Sequence, residues 1–261
     1  MAKILGEPIF NSIIDPEPHL PAPGEAAQPR RLIASKTHTI IVLVLMMALS
    51  TWSYIRAQKL LALGENDHRV FTYLLSIAAE WAMVGYIAWG VKRSGGSLRN
   101  LIGGRWVSVE RFFIDVGIAG VFWIVSLLIL LGVTKGVLHA KDNSAVLKLL
   151  APHTGLEMLL WIFVALTAGF CEEVIFRGYL QQQFIAWSNR VPVGIGLSVL
   201  FFGAGHIYQG IAPAIGITVF GLLFSLLAYY RKSLRPGMMA HAWQDALAGI
   251  ALGLMDKLKR S

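Results

Sequence analysis

Glu172, Glu173 and Arg177 stand directly after the apolar run 156–168. Charge at membrane depth is costly, so it normally faces a protein interior or a watery cavity. Each residue of a helix turns the chain by about 100°, so Glu173 and Arg177, four apart, share a face as a ready ion pair. Glu172 is rotated off that face and is left for other work. The spacing therefore separates one structural carboxylate from one functional one. A purely structural charge network, or the frame of an ion path, is the alternative use of the same three residues.

Two further places in the C-terminal half put ionisable groups into apolar helices. His206 ends the run Phe201, Phe202, Gly203, Ala204, Gly205, and His241 is followed four residues later by Asp245. That spacing puts His241 and Asp245 on one helix face, where the carboxylate can orient the imidazole. A lone histidine on an apolar face is usually a satisfied core residue. Two histidines and a carboxylate pair on successive apolar segments weaken that reading. Together they supply a base, imidazoles able to hold a water or an oxyanion, and a buried charge pair that stiffens the site. Those are the parts for attack of water on a carbonyl.

No Ser–His or Cys–His pair is placed to suggest a covalent nucleophile. Cys171 is the single cysteine; it excludes an intramolecular disulfide and reads as a small buried hydrophobe. Zinc is the competing use of the same groups, since two histidines with one or two carboxylates can bind it and leave a position open for water. The His-Glu-x-x-His pattern is absent, and ligands would have to converge from three helices. The balance is against an obligatory metal; no cofactor is assigned, and zinc stays open as the alternative.

The elements that must position these residues belong to a membrane protein. Hydrophobic residues make up 56% of the 261, charged residues 15%, and mean hydropathy is +0.61, whereas soluble domains carry about a quarter charged residues. The expected fold is all-α, a polytopic transmembrane helical bundle of about seven spans, near 40–55, 70–91, 112–133, 156–187, 191–207, 211–230 and 237–255. The fourth is too long for one simple crossing, and Arg177 and Gln181, Gln182 and Gln183 make its second half polar. It reads as a helix emerging into water or a cavity. The fifth is short, with Gly194, Gly196, Gly203 and Gly205, as suits close helix packing.

The expected domains are a flexible, proline-bearing leader over 1–37, N-terminal transmembrane helices over 38–155, a catalytic helical core over 156–255 and a basic tail over 256–261. The net charge of +8 reads as topology and contact with anionic lipids, favouring the N-terminus inside. No basic run interleaved with stacking aromatics appears, which excludes nucleic acid as a partner. Glu80 lies mid-span, where it can line a cavity or pair with a neighbouring helix. Asp115 sits near a span end, where hydration suffices, and His153 and Glu157 read as interfacial. Gln181 to Gln183 and Tyr208 are weaker candidates for contact with a substrate backbone.

Glu172, Glu173, Arg177 and Gly178, then Phe202 and His206, then His241 and Asp245 resemble the three ordered motifs of the CPBP family. These are the CAAX-type and bacteriocin-processing (Abi) intramembrane proteases. The resemblance covers about residues 155–255. It implies a helical intramembrane endopeptidase in which Glu172 activates water with help from His206. Glu173 and Arg177 would support the site, while His241 and the residue four later would stabilise the oxyanion. Asp245 stands where many relatives have Asn. An ionised Asp repels an oxyanion, so Asp245 orients His241 or donates only while protonated. The family has been described both as metal-dependent and as glutamate-type.

The leading expectation is an endopeptidase acting on membrane-associated or CAAX-like peptides, with membrane lipids and such a peptide or protein as partners. A catalytically idle scaffold or bacteriocin-immunity protein is the second reading, and an ion-coupled transporter the third. The compact chain, without the basic start and immediate apolar core of a secretory signal, reads as a multi-pass protein of a prokaryotic inner membrane.

Overall fold

The computed structural model describes residues 31–137 and 145–260. Among these residues every regular element is helical. Helix α1 spans Lys36–Leu63, α2 Arg69–Arg93, the short α3 Leu98–Ile102, and α4 Val109–Leu131, which runs on into a π-helical turn, Gly132–Val137. The short α5, Ala145–Leu150, precedes α6, Gly155–Glu172. Helix α6 continues through a π-helical stretch, Glu173–Leu180, into α7, Gln181–Ser188. Then come α8, Val191–Gly205, a 3₁₀ turn, Ile207–Gln209, α9, Ile211–Arg231, and α10, Arg235–Arg260.

Local sequence explains where several of these helices begin. The hydroxyls of Ser35, Ser97, Ser108 and Thr154 each accept an amide N–H of the first turn that follows. Such a cap satisfies one of the donors a helix start leaves without an intrahelical partner. Thr154 and Glu157 form a reciprocal capping box. Glu157, expected at an interface, thus fixes the start of the helix that carries the motif. Gly64 ends α1 with φ +74°, a left-handed turn suited to glycine.

Five helical segments are long and apolar enough to cross a membrane: Lys36–Leu63, Arg69–Arg93, Val109–Gly136, Gly155–Ser188 and Ile211–Arg231. Two of the seven expected spans are helices outside that set: Val191–Gly205 is shorter, and Arg235–Arg260 carries His241, Asp245 and a basic end. Large apolar side chains such as Met47, Trp52, Phe113, Val121 and Leu128 are exposed. In water that surface would be a liability; against acyl chains it is the outer face of a bundle whose backbone bonds are satisfied within each helix. The chain is a multi-pass helical membrane protein.

Helix α6 is the hub, packing most extensively against α10 and α2. A Cβ at Gly169 would lie 2.7 Å from the amide nitrogen of Ala242, so only glycine lets these two backbones approach so closely. His241, the neighbour of Ala242, is brought in this way beside the motif. Of the four glycines of α8, Gly194 is pressed against Ile185 and Gly203 against Thr218, while Gly196 faces open space. Close packing thus accounts for part of that glycine content.

Three expectations are corrected. Residues 1–30 of the expected leader lie outside the described residues, but its last residues are built into the fold. Ile33 and Ala34 are buried, and their amides donate to Oε1 of Gln183 at 3.0 and 3.4 Å. The polar half of the fourth span does not emerge into water. Gln181, Gln182 and Gln183 are buried; Gln183 donates to the Ala34 carbonyl and to Thr39, and Gln181 to the Ser225 carbonyl. Gln181 and Gln183 tie segments together where a hydrated surface was expected. Asp115, in turn, is 2% exposed and pairs with Arg231 and Arg235, each at 3.1 Å, while the Trp106 indole donates to it.

Candidate active site

Glu172 closes α6 and Glu173 opens the π-helical stretch that carries Arg177. A π turn inserts extra backbone into a helix and recurs at functional sites. Here the wider turn still keeps Glu173 and Arg177 paired, Nη1 donating to Oε1 at 2.9 Å, with both side chains 1% exposed. A second guanidinium nitrogen donates to the Gly221 carbonyl at 3.2 Å. The same guanidinium lies 4.2 Å over the Phe202 ring, a cation–π contact that helps to hold a buried charge.

His241 reaches this pair from α10. Its Nδ1 donates to Oε1 of Glu173 at 3.0 Å, so one carboxylate oxygen collects both the arginine and the imidazole. On the other side of the ring, Nε2 lies 3.7 Å from Oε2 of Glu172 and 3.5 Å from Oδ2 of Asp245. Both ring nitrogens therefore face carboxylate oxygens. Rings of Phe220 and Phe224 stand edge-on to the imidazole at 6.1 and 5.5 Å and wall that side off.

The two adjacent glutamates thus have different surroundings. Glu173 is sealed in, whereas the Glu172 side chain keeps 18% of its surface exposed and lines a cavity of about 570 Å³. His206, at the end of α8, lines the same cavity. Its Nδ1 donates to the Phe202 carbonyl at 2.8 Å; a carbonyl only accepts, so the tautomer that makes this bond leaves Nε2 as an acceptor. Among the described residues no hydrogen bond or ion pair joins His206 to a carboxylate. It meets the set across Phe202, whose ring lies 4.8 Å from His206 and 6.3 Å from His241.

The structure therefore joins Glu172, Glu173, Arg177, His241 and Asp245 in one network and places His206 across a shared cavity. Asp245 is 38% exposed, which leaves it more open to polar surroundings than any other member. Glu80 lines the cavity, and its Oε2 is buried without a hydrogen-bond partner. Its mid-span position was the signal for it in the sequence.

Tyr208 lines the cavity too and stacks near His206, centroids 6.1 Å apart. Burial pushes its hydroxyl up to about 12, so it stays a neutral donor at ordinary pH. Arg56 and Thr72 also border the cavity. Nothing in their spacing drew attention to them, because they come from different helices of the N-terminal half.

The zinc weighed from the sequence meets a poor donor set. Among the described residues no three His, Cys, Asp or Glu side chains converge to hold a metal ion. Cys171 is buried and forms no disulfide.

Comparison with curated proteins and with solved structures finds no match for this chain. Residues 154–247 match the family described as type II CAAX prenyl endopeptidase Rce1-like, a range that runs from the capping threonine of α6 to just past Asp245 and contains every member of the network above. This segment of the chain is thus similar to the Rce1-like CAAX endopeptidases, and it is in this segment that the network lies.

Proposed function

We propose that this protein is an intramembrane endopeptidase that hydrolyses membrane-associated or CAAX-like peptides, with Glu172 as the group that activates water. One observation carries the reading: of two adjacent glutamates, one is locked in a buried pair with Arg177 and His241, and the other opens onto a cavity shared with His206. A general base needs access to the cavity where water can enter, and Glu172 lines that cavity with its Oε2 3.7 Å from Nε2 of His241.

In this mechanism Glu172 takes a proton from a water whose second hydrogen is held by Nε2 of His206. The hydroxide adds to the scissile carbonyl carbon, and the carbonyl electrons move to its oxygen. As the tetrahedral intermediate collapses, the C–N bond breaks and the leaving nitrogen takes the proton from Glu172. Glu173 and Arg177 position His241, and His241 in turn braces Oε2 of Glu172. Asp245 orients the imidazole from its more open side. No step requires a metal. The family description supports a prenylated peptide as substrate; in a prokaryotic inner membrane, the expected setting, such substrates are not expected, and a peptide pheromone, a bacteriocin leader or a membrane-protein tail takes that place.

The purified protein and its Glu172→Gln variant, incubated in detergent with a peptide library, test this. Products formed by the parent and absent from the variant support the assignment. Near-native cleavage by Glu172→Gln refutes it.

A further inference from the structure

The cavity has a cationic end as well as an acidic one. Glu172, Glu80 and His206 line one part of it, and Arg56, Thr72, Ser53 and Ser76 another. The two parts lie at different depths. Glu80 is level with the motif, since its neighbour Trp81 stacks on Phe170 of α6 with centroids 5.3 Å apart. Thr72, eight residues earlier on α2, is displaced along that helix by about 12 Å. Thr72 holds Arg56, whose Nη2 donates to its hydroxyl at 2.7 Å.

That hydrogen bond leaves the charge of Arg56 uncompensated. Among the described residues no carboxylate pairs with it, and its Nε is buried without a partner. A guanidinium set at the edge of a membrane-protein cavity and held by a neutral hydroxyl suits an incoming anion, and a planar carboxylate matches its forked donors. Between the two ends the cavity wall carries Leu49, Leu75 and Ala79 beside the small hydroxyls of Ser50, Ser53 and Ser76.

Building on the endopeptidase reading, we infer that Arg56, supported by Thr72, binds the free C-terminal carboxylate of the substrate peptide. An extended chain advances about 3.3 Å per residue, so the distance from Arg56 to the level of Glu80 and Glu172 holds about three to four residues. The anchor thereby measures the cut from the end of the substrate. Apolar side chains of the released piece lie against Leu49, Leu75 and Ala79. Specificity for a chain terminus comes in this way from the N-terminal helices, outside residues 154–247.

The test compares a fluorophore-labelled peptide carrying an S-farnesyl cysteine and three apolar residues, as its C-terminal acid and as its C-terminal amide. Binding is measured by anisotropy in detergent to the uncleaving Glu172→Gln protein, with and without the added change Arg56→Gln or Thr72→Val, and the melting temperature of each variant is recorded. The acid binds about tenfold more tightly than the amide, as suits a charge-assisted bond. Arg56→Gln removes that preference, and Thr72→Val, which keeps the charge, reduces it. Equal binding of acid and amide, or a preference that survives Arg56→Gln, overturns the inference. So does a preference that disappears when phosphatidylglycerol is added, which assigns Arg56 to a lipid phosphate. Cleavage of the same acid by the parent protein is scored separately: a preference for the acid without any cleavage sinks the endopeptidase reading and leaves the anchor standing.

Discussion

Nδ1 of His241 donates to Oε1 of Glu173 at 3.0 Å, across the interface that Gly169 opens between α6 and α10. The same oxygen receives Arg177, so the C-terminal helix and the motif helix share one acceptor. The second oxygen of Glu173 is buried without a hydrogen-bond partner, and nothing in that pocket can replace a lost member of the set. These contacts make the adjacent glutamates separable by experiment.

Arg177→Met removes one member of a fully buried pair and strands the Glu173 charge. Breaking such a pair costs about 3–5 kcal/mol. The variant is expected to melt at markedly lower temperature in detergent and to lose activity along with the fold. Glu172→Gln, at the cavity edge, is expected to melt with the parent while activity falls on the order of 100- to 10,000-fold. Thermal unfolding and cleavage, measured side by side, check the contrast; parallel behaviour of the two variants would remove the distinction drawn between the glutamates.

His206→Ala is expected to reduce turnover by on the order of 100-fold with little change in melting temperature. Among the described residues its side chain makes a single hydrogen bond, to a carbonyl of its own helix turn, so the fold depends on that side chain weakly. A variant that unfolds, or one that cleaves normally, contradicts the role of His206 in holding the water.

Asp245 is the member with the most exposed side chain, 3.5 Å from Nε2 of His241. Asp245→Asn preserves shape and places an amide that can donate to Nε2, so its turnover should stay within about tenfold of the parent, in the range of one hydrogen bond. Asp245→Leu removes the orienting group, and its activity should fall further than that of Asp245→Asn. Initial rates of the two variants decide this; equal and severe losses in both mean that the negative charge itself is needed.

Gln183 ties residues 33, 34 and 39 to α7 through four hydrogen bonds. Gln183→Leu leaves buried amide and carbonyl groups unpaired, at about 1–3 kcal/mol for each group stranded. Amide hydrogen exchange at Ile33 and Ala34 should accelerate in this variant before that of the α6 core does. Unchanged protection there would mean that packing alone holds the segment.

Much of this protein can be read from the chain in one dimension. Helices follow from long apolar runs, because a membrane demands that each spanning segment satisfy its own backbone. Glu173 and Arg177 are four apart, and His241 and Asp245 likewise, so their pairing is local and survives the transfer from sequence to structure. The difference between Glu172 and Glu173 is also local, set by one residue's rotation about the helix axis.

Tertiary structure decided what distant segments do to one another. Asp115 is buried because Arg231 and Arg235, more than a hundred residues later, arrive to neutralise it. Gln181 and Gln183 are buried because α9 on one side, and Ile33, Ala34 and Thr39 on the other, supply their partners. Neither fact has a periodic signature, since each depends on contacts between remote helices. The cavity is of the same kind: its acidic wall comes from the motif, but Glu80, Arg56 and Thr72 come from α1 and α2. Hydrophobic patterning shows that those helices exist; only their packing against α6 sets a guanidinium, without a carboxylate partner among the described residues, along the space that Glu172 faces.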